Sequence, residues 1–497
     1  MSKYILFFSF TFILSCNKAP KEKTSYTQDT SIFKHGVGSG DPTDHSVIIW
    51  TKLSLDESAD VTWQVSSDKD FSSITKEGKY QTVLATNESV KVDVKDLLSD
   101  RYYYYRFLYE DKSSPVGRTK TFPSAGMEDV KLGVVSCSNF EFGYFGAYHG
   151  LAESDLDAVL HLGDYIYEYG PNKYGDSSFI RKHLPSHEII ALDDYRTRYA
   201  QYREDEALQK VHQMHPFIMI WDDHEITNDS YKDGAQNHQD DEGDYQERKM
   251  IAKQAYYEWM PVRPQPNSEL YRKFSIGDMV DIIMLDERYT GREAPAESIA
   301  EADDERSMLG TTQLSWFKNQ LKGSTAKWKV IGNQVIFSPC DLSAVRPEFP
   351  VNLDAWDGYA SERDNIRSFL SANEIKDVVF VTGDTHSSWA FDIPDVSANY
   401  DLGKTCGVEI GTPSITSSNW NESPQFTDEQ VKAGERGLTK AVPHLKYVNG
   451  RDHGYVILTL SGDGSSAQWY YVDDIKLKEP TITLAQEVTI SDNRVSL

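Results

Sequence analysis

Basic residues are scarce in this sequence, and so are cysteines and long apolar runs. Of 497 residues, 51 are Lys or Arg against 77 Asp or Glu, a formal net charge of −26. So acidic a chain excludes nonspecific binding to nucleic acid or to anionic lipid. It also repels phosphate, so a site for a phosphate-bearing ligand needs local positive charge, from metal ions or arginines. Besides Cys16, the cysteines are Cys137, Cys340 and Cys406. An odd number excludes complete pairing within the chain; Cys340 with Cys406 could form a disulfide, which leaves Cys137 for chemistry. The N-terminal apolar run, Tyr4 to Leu14, is too short to span a bilayer.

That run follows a short basic start and precedes Ser15-Cys16, so residues 1–15 read as a signal peptide. The ILSC ending resembles a bacterial lipobox, which would make Cys16 the first mature residue and the point of lipid attachment. The alternative is an ordinary signal sequence cleaved nearby. Residues 16–30, largely polar, read as a lipid-anchored tether. The expected location is therefore outside the cytoplasm, on a membrane facing periplasm or exterior.

What remains is rich in core-forming residues, 39% hydrophobic and 12% aromatic. The length exceeds what one core usually supports, so a small and a large domain are expected. Over 31–124, SVIIWTKL, VTWQVSS, ESVKVDV and RYYYYRFLY are β-branched and aromatic runs separated by turn residues. They predict a small all-β sandwich domain. PSAGMED, Pro123 to Asp129, reads as a linker. Over 130–475, apolar runs such as DAVLHL, PFIMIW and DVVFVT alternate with helical patterns such as DDYRTRYAQYREDEALQKV, which predicts an α/β domain. The acidic stretch Asn228 to Asp244 reads as the rim of a site, and 476–497 as a C-terminal tail.

Five of the α/β strands end in polar residues of one chemical kind. KLGVVS runs into Cys137, DAVLHLG into Asp164 with Tyr167 beyond it, and PFIMIWD into Asp223-His224-Glu225. WKVIG ends at Asn333-Gln334, and DVVFVTG at Asp384 followed by His386. A lone Gly-Asp is ordinary turn punctuation, but turn chemistry has no reason to select Cys, His and Tyr. Sites in α/β sheets form at the carboxyl ends of strands, and these residues are metal ligands. Thiolate and phenolate suit an oxidised trivalent metal, whereas carboxylate and amide oxygens suit a harder divalent ion. The mixture predicts two different metals sharing one centre, able to activate water and hold a phosphoryl group.

GDYIY fits the Gly-Asp-x-x-Tyr motif of metallophosphoesterases of the purple acid phosphatase type. More closely, GVGSGDPTDHSVIIWTKL, VVSCSNF, HLGDYIYEYG, WDDHEITND, LDERY, VIGNQ and GDTHSSWAFDI follow the order seen in PhoD-like alkaline phosphatases. The resemblance runs from about Phe33 to about Asp473. It implies a four-layer α/β/β/α metallophosphoesterase domain behind the small all-β sandwich. It further implies Cys137, Tyr167 and His386 as ligands of ferric iron, Asp164 as the bridge, and Asp223 and Asp384 on calcium or another divalent metal. Asn333 stands where the wider superfamily has a histidine and is a candidate oxygen ligand. His224 would contact phosphate or act as general acid. Arg288 would meet substrate phosphate, or else be a strand-end surface arginine.

The expected activity is hydrolysis of phosphate mono- or diesters by a metal-bound hydroxide, in an exported alkaline phosphatase or phosphodiesterase. The expected partners are a phosphate ester substrate and a membrane, through Cys16, with no structural nucleic acid. Two alternatives stay open. One is a phospholipase D-type or other phosphodiesterase on the same core. The other is an inactive surface lipoprotein that binds rather than cleaves.

Overall fold

The computed structural model describes residues 1, 26–55, 57–83, 86–87, 89–265, 269–302, 305–343, 347, 351–396, 403–422 and 426–497. The signal peptide, Cys16 and most of the proposed tether lie outside the described residues. No helix among the described residues is long and apolar enough to cross a membrane.

The chain is mixed α/β and builds three sheets of six, ten and seven strands. The central part of the ten-stranded sheet sets Val130–Val135, Ala158–His161 and Pro216–Met219 side by side and parallel. These runs are buried on both faces, which is why they read as continuous apolar segments rather than alternating ones. The seven-stranded sheet likewise places Val280–Met284, Trp328–Gly332, Val378–Thr382 and Thr405–Gly411 in parallel.

Alternation along these strands separates two cores. Val330, Val379, Val408 and Ile410 join Leu132, Val134 and Val456 of the ten-stranded sheet in one core. Ile283, Ile331 and Phe380 join Phe317, Ile366 and Leu438, from three helices, in another. The helices are Gly310–Gly323, Ala360–Ala372 and Asp428–Ala441.

The N-terminal strands divide between sheets. Asp60–Ser66, Ile74–Gln81 and Tyr102–Tyr109 belong to the six-stranded sheet. Val37–Gly40, Val47–Lys52 and Ser89–Val94 instead extend the ten-stranded sheet, with Val37–Gly40 parallel to Pro216–Met219. Val47, Ile49 and Val90 nevertheless pack against Val61, Val65 and Phe107, a sandwich-like core between the two sheets.

Three expectations are corrected. The C-terminal segment is no tail: Ile482–Ser491 and Arg494–Ser496 are strands at the edge of the ten-stranded sheet. The helix expected over DDYRTRYAQYREDEALQKV is two, Leu192–Tyr202 and Glu206–Met214. It breaks because Asp205 leaves helical geometry to cap the second, accepting from the Ala207 and Leu208 amides. Cys340 and Cys406 form no disulfide; both are free and buried. The Cys406 thiol sits on the Ile393 and Pro394 carbonyls instead.

Candidate metal centre

The strand ends carrying Cys137, Asp164 and Asp223 and those carrying Asn333 and Asp384 come from different sheets, and an isolated bridge, Ser136 to Ser414, ties the two edges together. Four of the predicted residues sit in the left-handed backbone region: Cys137 at φ 60°, Asp164 at 54°, Asp384 at 61° and His386 at 54°. Each such residue costs about 1–3 kcal/mol and persists only where its surroundings over-determine it. Gly163, at φ 107°, serves a different purpose: a Cβ there would lie 2.3 Å from the Cβ of Asp222. Only glycine lets the Asp164 loop pass so close to the Asp223 loop.

Glu225 fixes that crossing. Its carboxylate accepts the amides of Asp164 at 3.1 Å, Tyr165 at 2.5 Å and Asp222 at 2.7 Å, so one buried side chain sets both loops.

The ligand atoms of Cys137, Asp164 and His386 lie within 4.8 Å of one another, as do those of Asp164, Asp223 and His224. Asp164 is common to both groups. Its Oδ2 accepts from the Tyr167 hydroxyl at 2.9 Å, while its buried Oδ1 has no hydrogen-bond partner. An orphaned buried carboxylate oxygen is costly, and a cation is the partner that fits it. The Tyr167 hydroxyl also lies 3.3 Å from His386 Nε2.

Electrostatics point the same way. Burial, then the neighbouring Asp222, Asp223 and Glu225, hold Asp164 well above the usual carboxylate range against the pull of His224. Burial and nearby carboxylates do the same to Asp384, against Arg288. Burial, with Asp164 beside them, drives the Cys137 thiol and the Tyr167 phenol far up. Burial also lowers His386 to about 4, leaving a neutral imidazole. Crowded acids that resist ionisation, beside a neutral imidazole, are a donor set that a cation in their midst would deprotonate and satisfy. The residues present fit metal ions.

His224 is braced from behind. Its Nδ1 lies 2.6 Å from Glu168 Oε2, and the other Glu168 oxygen accepts from Thr227, Asn228 and Asn237. Burial opposes charge on His224, but Asp223, Glu168 and Asp164 outweigh it and raise the imidazole well above its ordinary value. Asn237 comes from the acidic stretch Asn228–Asp244, which folds against this brace.

Two predicted residues are engaged by other protein groups. Asn333 is fully buried, but its amide donates to Val335 and Thr382 and its oxygen accepts from Trp356 Nε1 at 3.0 Å. No hydrogen bond joins it to Asp164, Asp223 or Asp384. Arg288 is not a surface arginine, because its side chain has no exposure at all. Three of its five N–H donors go to carboxylates. It pairs with Asp222, with Asp354 at 2.8 Å and with Asp384 at 3.1 Å, and lies 3.8 Å from Asp223. The strand-end position was legible in the sequence; the four acids closing around it were not.

The sequence reading also passed over TPSITSSN, Thr412 to Asn419, which looks like an ordinary Ser/Thr-rich loop. Its Ile415 amide donates to the Ser136 carbonyl, and the Thr416 and Ser417 amides to that of Cys137. The Ser417 hydroxyl lies 2.6 Å from Tyr167 OH, and Ser418 O receives His386 Nδ1. This loop thereby grips three of the predicted ligands from outside. Asp229, at φ 50° with its amide on Asp223 Oδ2, and Asp354 were missed as well.

A mixed α/β protein whose strand ends gather metal-ligating side chains around one shared carboxylate is a metal-dependent hydrolase in outline. Comparison with known proteins places it more narrowly. The model for the PhoD-like phosphatase matches residues 132–469, and that for the PhoD-like phosphatase N-terminal domain matches 17–123. Alkaline phosphatase D of Bacillus subtilis (strain 168) is 35% identical over 453 residues, 86% of this chain and 76% of that protein. A solved structure of PhoD superimposes with a TM-score of 0.83 at 32% identity, covering 96% of this chain and 92% of that one. The chain belongs to the PhoD-like phosphatase family and is a phosphoric ester hydrolase.

Proposed function

We propose that the enzyme hydrolyses phosphate mono- or diesters at two metal ions that share Asp164. The observation that carries this reading is the single carboxylate common to two ligand groups, one with a thiol and an imidazole, the other with a carboxylate and a second imidazole. Cys137, Tyr167 and His386 would hold ferric iron, and Asp223 and Asp384 a harder divalent ion such as calcium. Such ions supply Lewis acidity toward water and toward the phosphoryl oxygens.

The chain's own residues do the rest. Glu168 fixes the His224 ring through Nδ1, and His224 Nε2, which has no hydrogen-bond partner among the described residues, is available to the phosphoryl group or the leaving oxygen. Arg288 does not touch substrate but holds Asp222, Asp354 and Asp384 in place. Asn333 orders Trp356 and the strand end beneath. Turnover of paired chromogenic mono- and diesters, before and after chelation, tests the reading. A chelated enzyme that keeps full activity on either ester would sink it.

The metal assignment carries its own prediction. Phenolate and thiolate on ferric iron give charge-transfer absorption, so the oxidised protein should be coloured, lose its band on chelation and shift it in Tyr167→Phe. An iron-loaded, active protein whose spectrum ignores that substitution contradicts the ligand set. A hydroxyl in a structural role alone would cost about 0.5–1.5 kcal/mol when removed and change no colour.

The proposal extends to architecture and address. The two cores, one between the large sheets and one under the three helices, support a four-layer α/β/β/α domain over about 130–475. The core between Val47 and Val61 supports a sandwich unit over 31–124 that lends strands to its neighbour. Residues 1–15 would be a signal peptide and Cys16 a lipidated anchor. Cys16→Ser should then move the protein from the membrane fraction to the soluble one; retention on the membrane would refute the anchor.

A further inference from the structure

A cavity of about 920 Å³ adjoins the acidic cluster, with Asp229, Asp354 and Asp384 on its wall. The volume is that of a site for a drug-sized molecule, far more than a phosphoryl group needs. Beyond the carboxylates the wall turns aromatic and aliphatic. Trp389 is locked by its Nε1 bond to Thr385 at 2.8 Å and by stacking on Phe391, and Trp420 meets it edge-on with centroids 5.6 Å apart. Opposite, the helix Asp428–Ala441 presents Ala433, Gly434 and Gly437, whose lack of bulk leaves the space open.

Charge decides what such a cavity can take. No Lys, Arg or His lines it among the described residues. The arginines nearby are committed to carboxylates: Arg288 and Arg292 to Asp354, Arg288 to Asp384, and Arg363 to Asp357. A phosphoryl group beside these carboxylates would have the bound metal ions to answer its charge. Against the described walls, a second anionic group would meet indole faces, aliphatic side chains and carboxylates, and would gain no cationic partner among the described residues. An uncharged aromatic or aliphatic group would lose only water, against walls already rigid.

Resting on the phosphatase reading above, we propose that this cavity receives the organic group of the ester. It selects large, uncharged, apolar or aromatic groups over small or anionic ones. The enzyme thereby favours hydrophobic phosphate esters over sugar phosphates and nucleotides.

The test uses the metal-loaded full chain and aryl esters of similar leaving groups, each as the monoester and as the methyl diester. The 2-naphthyl ester should exceed the phenyl ester in kcat/KM by at least about tenfold. The 4-carboxyphenyl ester should fall below its uncharged 4-carbamoylphenyl counterpart by about as much, with the difference mainly in KM. Ala433→Phe, which narrows the cavity, should lower the naphthyl-to-phenyl ratio toward one. Trp420→Ala, which removes a wall, should lower the same ratio if the first variant fails to fold. Hydrolysis of the phenyl ester with ratios within about twofold in the wild type, or an unchanged ratio in the folded variants, overturns this inference and leaves the phosphatase reading standing. If no ester of either series is turned over, the phosphatase reading fails and this inference with it.

Discussion

Asp164→Asn is expected to lower turnover by at least about a thousandfold, the equivalent of about 4 kcal/mol of transition-state stabilisation. The amide keeps the side chain's size and can still accept from Tyr167, so the fold should survive. What it cannot keep is the second anionic oxygen, the buried Oδ1 that has no partner in the protein. The same substitution should act oppositely on the metal-free fold. Asp164 is held well above the usual carboxylate range by burial and by Asp222, Asp223 and Glu225. An acid whose folded pKa lies above its unfolded value loses stability as pH rises past the unfolded value, so at neutral pH the aspartate burdens the chelated protein. Thermal melts should therefore show chelated Asp164→Asn at or above the wild type. Metal loading should raise the wild type more than the variant. Near-normal turnover, or a variant less stable only when chelated, contradicts a shared metal bridge.

That opposition between stability and chemistry explains why the site was legible in the sequence. Residues that turn chemistry does not call for stand out at a strand end, and Cys137 and His386 are such residues, both held in left-handed backbone. The buried parallel strands leading to them were equally plain, because burial on both faces leaves unbroken apolar runs. What stayed hidden depends on contacts distant in sequence. Val37–Gly40 reads VGSG, with little strand propensity, and is a strand because Val47–Lys52 and Pro216–Met219 pair with it on either side. The helix Asp428–Ala441 carries two glycines and a mostly polar face, though its Thr427–Gln430 capping box was there to be read. The Thr412–Asn419 loop has no unusual composition at all; its role comes from lying beside Cys137, about 280 residues away. Arg288 was picked out for its strand-end position, but one sequence position cannot say that four aspartates will converge on it.

That convergence makes Arg288→Met the other large effect. Among the described residues the guanidinium pairs with Asp222, Asp354 and Asp384 and lies 3.8 Å from Asp223, with Arg292 on Asp354 and the charged His224 beside Asp223. Removing one partner from a buried ionic cluster leaves uncompensated charge and costs about 3–5 kcal/mol, far more than any surface pair. Methionine keeps the arginine's aliphatic stem and adapts to irregular space, so most of the loss reports charge. Metal ions would also neutralise Asp223 and Asp384, so the deficit in urea unfolding should be larger for the chelated protein than for the loaded one. The pH dependence has a definite sign. Asp222 stands at about 6 and Asp223 at about 2 with Arg288 present; burial raises both, and Arg288 is the largest influence pulling them back. Without it both folded values rise, so the variant holds protons that the wild type has released. Its deficit must then grow as pH increases, being larger at about pH 8, where wild-type Asp222 is ionised, than at about pH 5. A deficit below about 1 kcal/mol, flat across that range and indifferent to chelation, would mean that Arg288 is merely packed among these acids and does not hold them.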